Sequence, residues 1–297
     1  MKYWELKQKQ SLDLDSKIIM SKRRVREFYE EFDGQVYIAF SGGKDSTVLL
    51  HLVRSIYPDV PAVFCDTGLE YPEIKKFIKT INNVIVIKPK MGFKQVIKTY
   101  GYPVISKKVA RQIRDLQNPT SKNINTRKLY LEGIKKDGTE TIGFKLPKKW
   151  KKLIDAPFRV SEKCCDIMKK NPAKQYEKET GRHPYIGVMA CDSNQREISY
   201  LKTGCNSFNG KIQSKPLSFW IQDDIWDYIK RFNLEYSNIY DMGEKHTGCI
   251  YCMFGAHLDK SPNRFQRMKK HHPKLYKYCM EKLGLKEVLE YIGIEYE

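Results

Sequence analysis

The stretch from Val36 to Leu50 limits what this chain can fold into more than any other. Val36-Tyr37-Ile38-Ala39-Phe40 carries the β-branched and aromatic residues of a buried parallel strand. Ser41-Gly42-Gly43-Lys44-Asp45-Ser46-Thr47 follows at once, and Val48-Leu49-Leu50-His51-Leu52-Val53 then supplies an apolar run long enough for a helix. Paired glycines let the backbone turn sharply and approach a ligand. The helix that follows offers unpaired N–H groups and the positive end of its dipole, which suits phosphate. Ser41, Ser46 and Thr47 add hydroxyls and Lys44 a charge. The spacing is not that of the Walker A loop, which places four residues between its first glycine and Gly-Lys. Two glycines alone could mark an ordinary turn; six residues in this order at a strand-to-helix junction point to an anion cradle.

Ser41-Gly42-Gly43-Lys44-Asp45-Ser46 resembles the PP-loop, Ser-Gly-Gly-x-Asp-Ser, of the ATP pyrophosphatase and phosphoadenosine phosphosulfate (PAPS) reductase superfamily. The resemblance implies an α/β fold of the adenine nucleotide alpha hydrolase-like kind, a doubly wound parallel sheet with the nucleotide at the C-terminal ends of its strands. It also implies that Ser41, Gly42, Gly43, Lys44, Asp45, Ser46 and Thr47 hold the phosphates of ATP, or the charged end of adenylyl sulfate (APS) or PAPS, with Mg2+. After the short apolar run Ala62-Val63-Phe64, Asp66-Thr67-Gly68-Leu69-Glu70 is similar to the second motif of PAPS reductases. That likeness places Asp66, Thr67 and Gly68 around the nucleotide, Gly68 permitting a turn and Asp66 orienting a metal-bound water or the loop lysine. Gly187 to Arg196 resembles the family's arginine motif: Gly187, Ser193 and Arg196 match, Asp192 replaces a glutamate, and Met189 stands where many members carry arginine. Arg196 is the arginine expected at the nucleotide's charged end. Lys215 to Ile229 is similar to a Trp-containing packing helix, which gives Trp220 and Trp226 structural roles.

The organisation expected from the sequence is an N-terminal helical segment (1–34), a nucleotide-binding domain (35–230) and a C-terminal region with covering helices (231–297). Ile18, Ile19, Val25, Phe28 and Tyr29 stripe the first segment; Val84-Ile85-Val86-Ile87 and Tyr185-Ile186-Gly187-Val188-Met189 read as further strands; a helix begins near Phe93; and Leu275 to Ile294 reads as helix. A basic insertion, about 107–152, is poor in apolar periodicity and interleaves lysines with Tyr130, Phe144 and Trp150. It could track a phosphate backbone and stack on bases, or be a solvated loop. The formal charge of +19 over 297 residues admits the same two readings, a polyanionic partner or a lysine-rich surface. No apolar run approaches a membrane span and Met1 to Leu6 lacks a signal-peptide core, so a cytoplasmic protein without a membrane partner is expected.

Eight cysteines in such a chain suggest metal or redox chemistry before disulfides. Cys164-Cys165 and Cys249-Ile250-Tyr251-Cys252 together offer the four thiolates a cubane cluster requires. Structural zinc usually draws on two separated knuckles, and adjacent cysteines point apart, which suits the wider cluster better than one tetrahedral ion. The pattern resembles the [4Fe-4S] site of adenylyl-sulfate reductases, with Lys169 matching a lysine that lies between cluster and nucleotide.

The expected function is therefore an enzyme: an ATP pyrophosphatase-type adenylation coupled to sulfur transfer, as in related tRNA thiolases and the DNA phosphorothioation enzyme. Lys44, Asp45, Asp66, Lys169 and Arg196 are its candidate catalytic residues, and tRNA or DNA, a thiol or sulfur-donor protein and a second copy of the chain are its candidate partners. One alternative is an APS or PAPS reductase releasing sulfite with an external thiol or with Cys279, since the family's C-terminal Glu-Cys-Gly-x-His segment has no counterpart. The other is a non-catalytic nucleotide- or nucleic-acid-binding regulator with a structural cluster.

Overall fold

The computed structural model describes residues 2–297. The elements run α1 (Tyr3–Gln10), α2 (Leu14–Glu31), β1 (Val36–Ala39), α3 (Lys44–Arg54), β2 (Ala62–Cys65), α4 (Pro72–Ile78) and β3 (Val84–Ile87). They continue with α5 (Phe93–Tyr100), β4 (Val104–Ile105), α6 (Lys107–Gln117), α7 (Ile124–Glu132), α8 (Asn171–Thr180) and β5 (His183–Ile186). The last third holds α9 (Asn194–Thr203), β6 (Asn206–Ser207), β7 (Gln213–Ser214), α10 (Gln222–Arg231), β8 (Met253–Phe254), α11 (Arg264–His271), α12 (Pro273–Lys277) and α13 (Leu285–Ile292). These elements form two compact units that interleave along the chain. One takes the chain up to Asp66, then Glu70–Lys88 and Pro172–Thr247; the other takes Thr67–Leu69, Pro89–Asn171 and Gly248–Glu297.

The first unit is α/β. Its six-stranded sheet has the order β3-β2-β1-β5-β7-β6, parallel except where the edge strand β6 runs antiparallel to β7. Strand β1 is buried because helices cover both faces, which is why its sequence is apolar without alternation. On one face Tyr37 packs with Val63 and with Tyr176 of α8, and the Tyr37 hydroxyl donates to Glu177 at 2.9 Å. On the other, Val25 and Phe28 of α2 and Leu49 and Leu52 of α3 are fully buried, each side chain contributing roughly 1.5–3 kcal/mol. The Tyr185 hydroxyl donates to the Val25 carbonyl at 2.7 Å, tying α2 to β5.

The second unit has a small parallel pair, β4 with β8, matching Val104 to Met253 and Ile105 to Phe254. Helix α6 packs on the 3-10 segment Lys148–Asp155, and Gln117 fastens them by donating to the Leu153 and Phe158 carbonyls, both at 3.0 Å. Gly101 adopts φ 107° with the Arg159 backbone 2.4 Å from where a Cβ would sit, so no other residue fits there.

Three expectations change. The N-terminal segment is two helices, broken at Ser11–Asp13, where the Asp13 carboxylate caps α2 by accepting from Ser16 N–H. The region from Lys107 does carry helical periodicity: Val109, Ala110, Ile113 and Leu116 form the buried face of α6. The C-terminal helix is interrupted at Gly284, whose left-handed φ of 68° starts α13 afresh.

Lys17 of α2 is 1 % exposed and its ammonium donates to both oxygens of Asp224 on α10, at 2.8 and 2.7 Å. Asp224 also caps α10 by accepting from the Ile221 N–H. A buried charge left without its partner is costly. Lys17→Ala is expected to destabilise the protein by about 3–5 kcal/mol, read as a lowered denaturation midpoint in urea at unchanged slope. A loss under 1 kcal/mol would contradict this.

Candidate active site

The loop 41–47 sits at the C-terminal end of β1, with β2 on one side and β5 on the other, the point where strand order reverses. Gly42 takes φ 73°, a left-handed conformation, and Ile74 and Ile78 of α4 stand 2.8 and 2.9 Å from where its Cβ would lie. Gly43 caps α3 with extended backbone, and a Cβ there would meet the Thr247 hydroxyl at 2.6 Å. Gly187, just past β5, closes on α3 so tightly that a Cβ would meet the Asp45 carbonyl at 3.0 Å. The hydroxyls shape the turn: Ser46 Oγ donates to the Gly43 carbonyl at 2.8 Å and accepts from Ser41 N–H, while Thr47 Oγ1 donates to the same carbonyl at 3.1 Å.

Lys44 is 3 % exposed. Its ammonium donates to Asp45 at 2.6 Å and to Gln222 Oε1 at 2.5 Å. Gln222 in turn donates to Asp192 at 2.9 Å, and Asp192 is ion-paired with Arg196. Ser193 caps α9 by accepting from the Arg196 N–H. One polar chain therefore joins Lys44 to Arg196, the two cations expected to face an anion. The Lys44 N–H, one of the groups a helix leaves without an internal partner, donates to the Tyr240 hydroxyl at 2.8 Å. Tyr240 is half-buried, and that desolvation raises its phenol above the ordinary range.

Asp66 ends β2 beside the loop and is ion-paired with Lys75 at 2.6 Å. Asp45 and Asp66 are thus each held by a lysine, and no preassembled magnesium site exists among the described residues. Thr67 and Gly68 belong to the second unit, where Thr67 Oγ1 accepts from Leu69 N–H at 3.2 Å and Gly68 turns with φ 75°. Met189 is fully buried and its N–H donates to Asp192; it lines the interior rather than meeting an anion. Trp220 is a core residue, whereas Trp226 is 36 % exposed and lies edge-on to Tyr236 and Tyr240.

Cys164, Cys165, Cys249, Cys252 and Lys169 lie in the second unit. Cys249 and Cys252 flank a tight turn closed by the Cys252 N–H on the Cys249 carbonyl at 3.0 Å, just before β8. Cys164 and Cys165 lead into a single π turn, Asp166–Lys170, with Met168 buried beneath it. None of the four is in a disulfide. Burial pushes the Cys164 thiol up, and Cys165, Cys249 and Cys252 push it further while Lys169 opposes them. Burial and Cys249 likewise push Cys252 up to about 11. Cys165, Cys249 and Cys252 thus lie within electrostatic reach of Cys164. Among the described residues no three His, Cys, Asp or Glu side chains converge to hold a single metal ion. Arg264 braces the turn, donating to the Cys252 and Phe254 carbonyls at 3.0 and 2.9 Å while paired with Asp259.

The model of the phosphoadenosine phosphosulfate reductase domain matches residues 35–137 and 111–254, well over half of the sequence. The chain belongs to that family. The adenosine 5'-phosphosulfate reductase of Geobacillus kaustophilus is 26% identical over 251 residues, which are 84% of this chain and 86% of that one. An uncharacterized protein of Methanocaldococcus jannaschii is 23% identical over 261 residues, 85% of this chain but 49% of the relative, so the chain spans about half its length. The phosphate-bound PAPS reductase of Candida auris superposes with a TM-score of 0.44 at 16% identity, covering 80% of this chain and 96% of that one.

Of the residues expected in a PAPS reductase-family site, the first unit gathers loop 41–47, Asp66, Gly187, Ser193 and Arg196 around the ends of β1, β2 and β5. Gln222, Asp192 and Tyr240 join them without having been expected there. Asp192 was visible as the variant residue of the arginine motif; Gln222 opens a helix read as packing, and nothing in the sequence marks Tyr240. Tyr240→Phe removes the oxygen that occupies the Lys44 N–H. Inorganic pyrophosphate should then bind about five-fold more tightly, measured by titration calorimetry; unchanged or weaker binding would refute that assignment.

Proposed function

We propose that this chain is a PP-loop enzyme that binds ATP at residues 41–47, transfers its adenylyl group to an acceptor oxygen and permits sulfur to replace that oxygen. The observation that carries the reading is the buried Lys44, held at the start of α3 with hydroxyls, glycines and an Arg196-ended polar chain about it. The acceptor oxygen attacks the α-phosphorus and pyrophosphate leaves with the electron pair of the broken P–O bond; hydrosulfide then displaces AMP, or a persulfide does so and a second thiol cleaves the resulting S–S bond, leaving as a disulfide with the sulfur donor. In such chemistry the protein acts by positioning and by neutralising phosphate charge. Lys44 and Arg196 supply that neutralisation, with Asp45 and Gln222 orienting the lysine. Lys169 is proposed to act as a further cation.

Cys164, Cys165, Cys249 and Cys252 would hold a [4Fe-4S] cluster, the four thiolates such a cluster takes, none of them tied up in a disulfide. When bound, the cluster supplies a cross-link between two chain segments and a charged group tuned by its hydrogen bonds.

The second reading, APS or PAPS reduction, is favoured by the sequence likeness to the Geobacillus enzyme. It needs a thiolate nucleophile. Cys279 is fully buried, donates to the Tyr276 carbonyl at 3.2 Å and is pushed up to about 12 by burial, the opposite of an activated thiol. Cys191 is exposed, and the neighbouring Asp192 carboxylate works against a thiolate there. On this reading an external thiol is proposed as the nucleophile.

Lys44→Ala should lower acceptor-dependent pyrophosphate release from ATP by at least a hundred-fold; undiminished release would remove the loop from the chemistry. Sulfite formed from APS by anaerobically purified protein with thioredoxin, and lost in Lys44→Ala, would select the reductase reading instead. Cys252→Ser should lower bound iron and acid-labile sulfide per chain to under half of the unaltered protein, and equal content in both would exclude the cysteine set.

A further inference from the structure

The segment that begins at Lys107 is built as a surface as well as a connection. Between Lys107 and Lys152 it carries fourteen lysines and arginines against four acids. Of the acids, Asp115 is engaged by Arg114 and Asp137 by its own Thr139 turn. Within this basic field the short turn Ile142–Phe144 is pinned to α6 from below. Lys108 donates to the Gly143 carbonyl at 2.5 Å, and Gln112, 1 % exposed, donates to the Phe144 carbonyl at 2.6 Å. The pinning fixes the backbone and turns both apolar side chains outward: Ile142 is 89 % exposed and Phe144 51 % exposed. Two hydrophobic side chains are thus held in water by hydrogen bonds to the backbone beneath them, not by packing. Tyr130 and Trp150, the other aromatics of the segment, are buried and have no free face.

We infer that this surface binds single-stranded nucleic acid, with a base stacked on Phe144 beside Ile142 and the backbone phosphates on Lys145, Lys148 and Lys149, all exposed. Charge complementarity selects a polyanion, and a free aromatic face selects unpaired bases, since a duplex buries its bases within the stack. A membrane surface calls for an amphipathic helix with a broad apolar face, and one turn with two apolar side chains falls short of that. The inference extends the adenylation reading by naming the class of acceptor, yet it stands on a different set of residues.

The test is fluorescence anisotropy of short labelled single-stranded RNA and DNA with the full chain, without ATP, across a salt series. The combined variant Lys145→Gln, Lys148→Gln, Lys149→Gln should reduce the slope of log affinity against log salt by about 2, close to 0.7 for each lost phosphate contact. Phe144→Ala should weaken binding about five-fold or more at every salt concentration without changing the slope, and Phe144→Tyr should restore it. All four positions are exposed, so melting temperatures should hold. The inference is overturned by an unchanged slope in the lysine variant, by duplex bound as tightly as single strand, or by a preference for phosphatidylserine vesicles. Binding should survive Lys44→Ala, so failure of the nucleotide reading and failure of this one are told apart.

Discussion

The buried ammonium of Lys44 sets the terms for the first unit. A charge at 3 % exposure persists only if it is paired and hydrogen-bonded, and its partners come from separate places. Asp45 is its neighbour on α3, but Gln222 reaches it from the start of α10, and Gln222 is held by Asp192, which pairs with Arg196 on α9. Helix α10 must therefore be placed correctly before the loop at the end of β1 is complete. The second buried ion pair, Lys17 with Asp224, does that placing, because Asp224 also caps α10. The two pairs link α2, α3, α9 and α10 into one arrangement, with Gln222 and Asp224 of α10 reaching the ammonium groups of Lys44 on α3 and Lys17 on α2.

That arrangement leaves the free cradle self-satisfied. The Lys44 ammonium rests on a carboxylate and an amide, the Lys44 N–H on the Tyr240 hydroxyl, Arg196 on Asp192, and Asp66 on Lys75. An incoming phosphate would replace internal acceptors with its own oxygens, so the gain on binding is a difference between hydrogen bonds of similar strength. The glycines are required by space as much as by backbone conformation: at Gly187 the obstacle is the Asp45 backbone, which cannot move aside. The second unit meets a different problem. Its sheet is one short pair of strands, and it holds four cysteines in no disulfide, three of them within electrostatic reach of Cys164, with Arg264 bracing the Cys252 and Phe254 carbonyls.

Much of this was legible in advance because its causes are local. The run 36–40, the glycines, the hydroxyls and Lys44 act on their own backbone or the next turn of helix, so their order alone announces a strand, a turn and a cradle. Strands β1, β2 and β3 are long and apolar enough to read, whereas β5, expected over 185–189, runs His183–Ile186 and stops before Gly187, which packs on the Asp45 backbone. Strands β4, β6, β7 and β8 have two residues each and carry no period. Helix α6 was hidden by its charges, which cover its outer side while Val109, Ile113 and Leu116 make a narrow buried stripe.

The sequence by itself determined the family, the α/β class, the loop at 41–47 and the two cysteine pairs, since each is a short pattern whose chemistry acts at close range. Tertiary structure decided which groups complete the loop. Gln222 and Tyr240 meet Lys44 from 178 and 196 residues away, brought there by the order of the strands and the packing of α10, for which no local pattern exists. It also decided which aromatic in the basic segment is free to meet a ligand. Tyr130, Phe144 and Trp150 look alike in sequence, and only packing, which buries two and leaves the third in water, tells them apart.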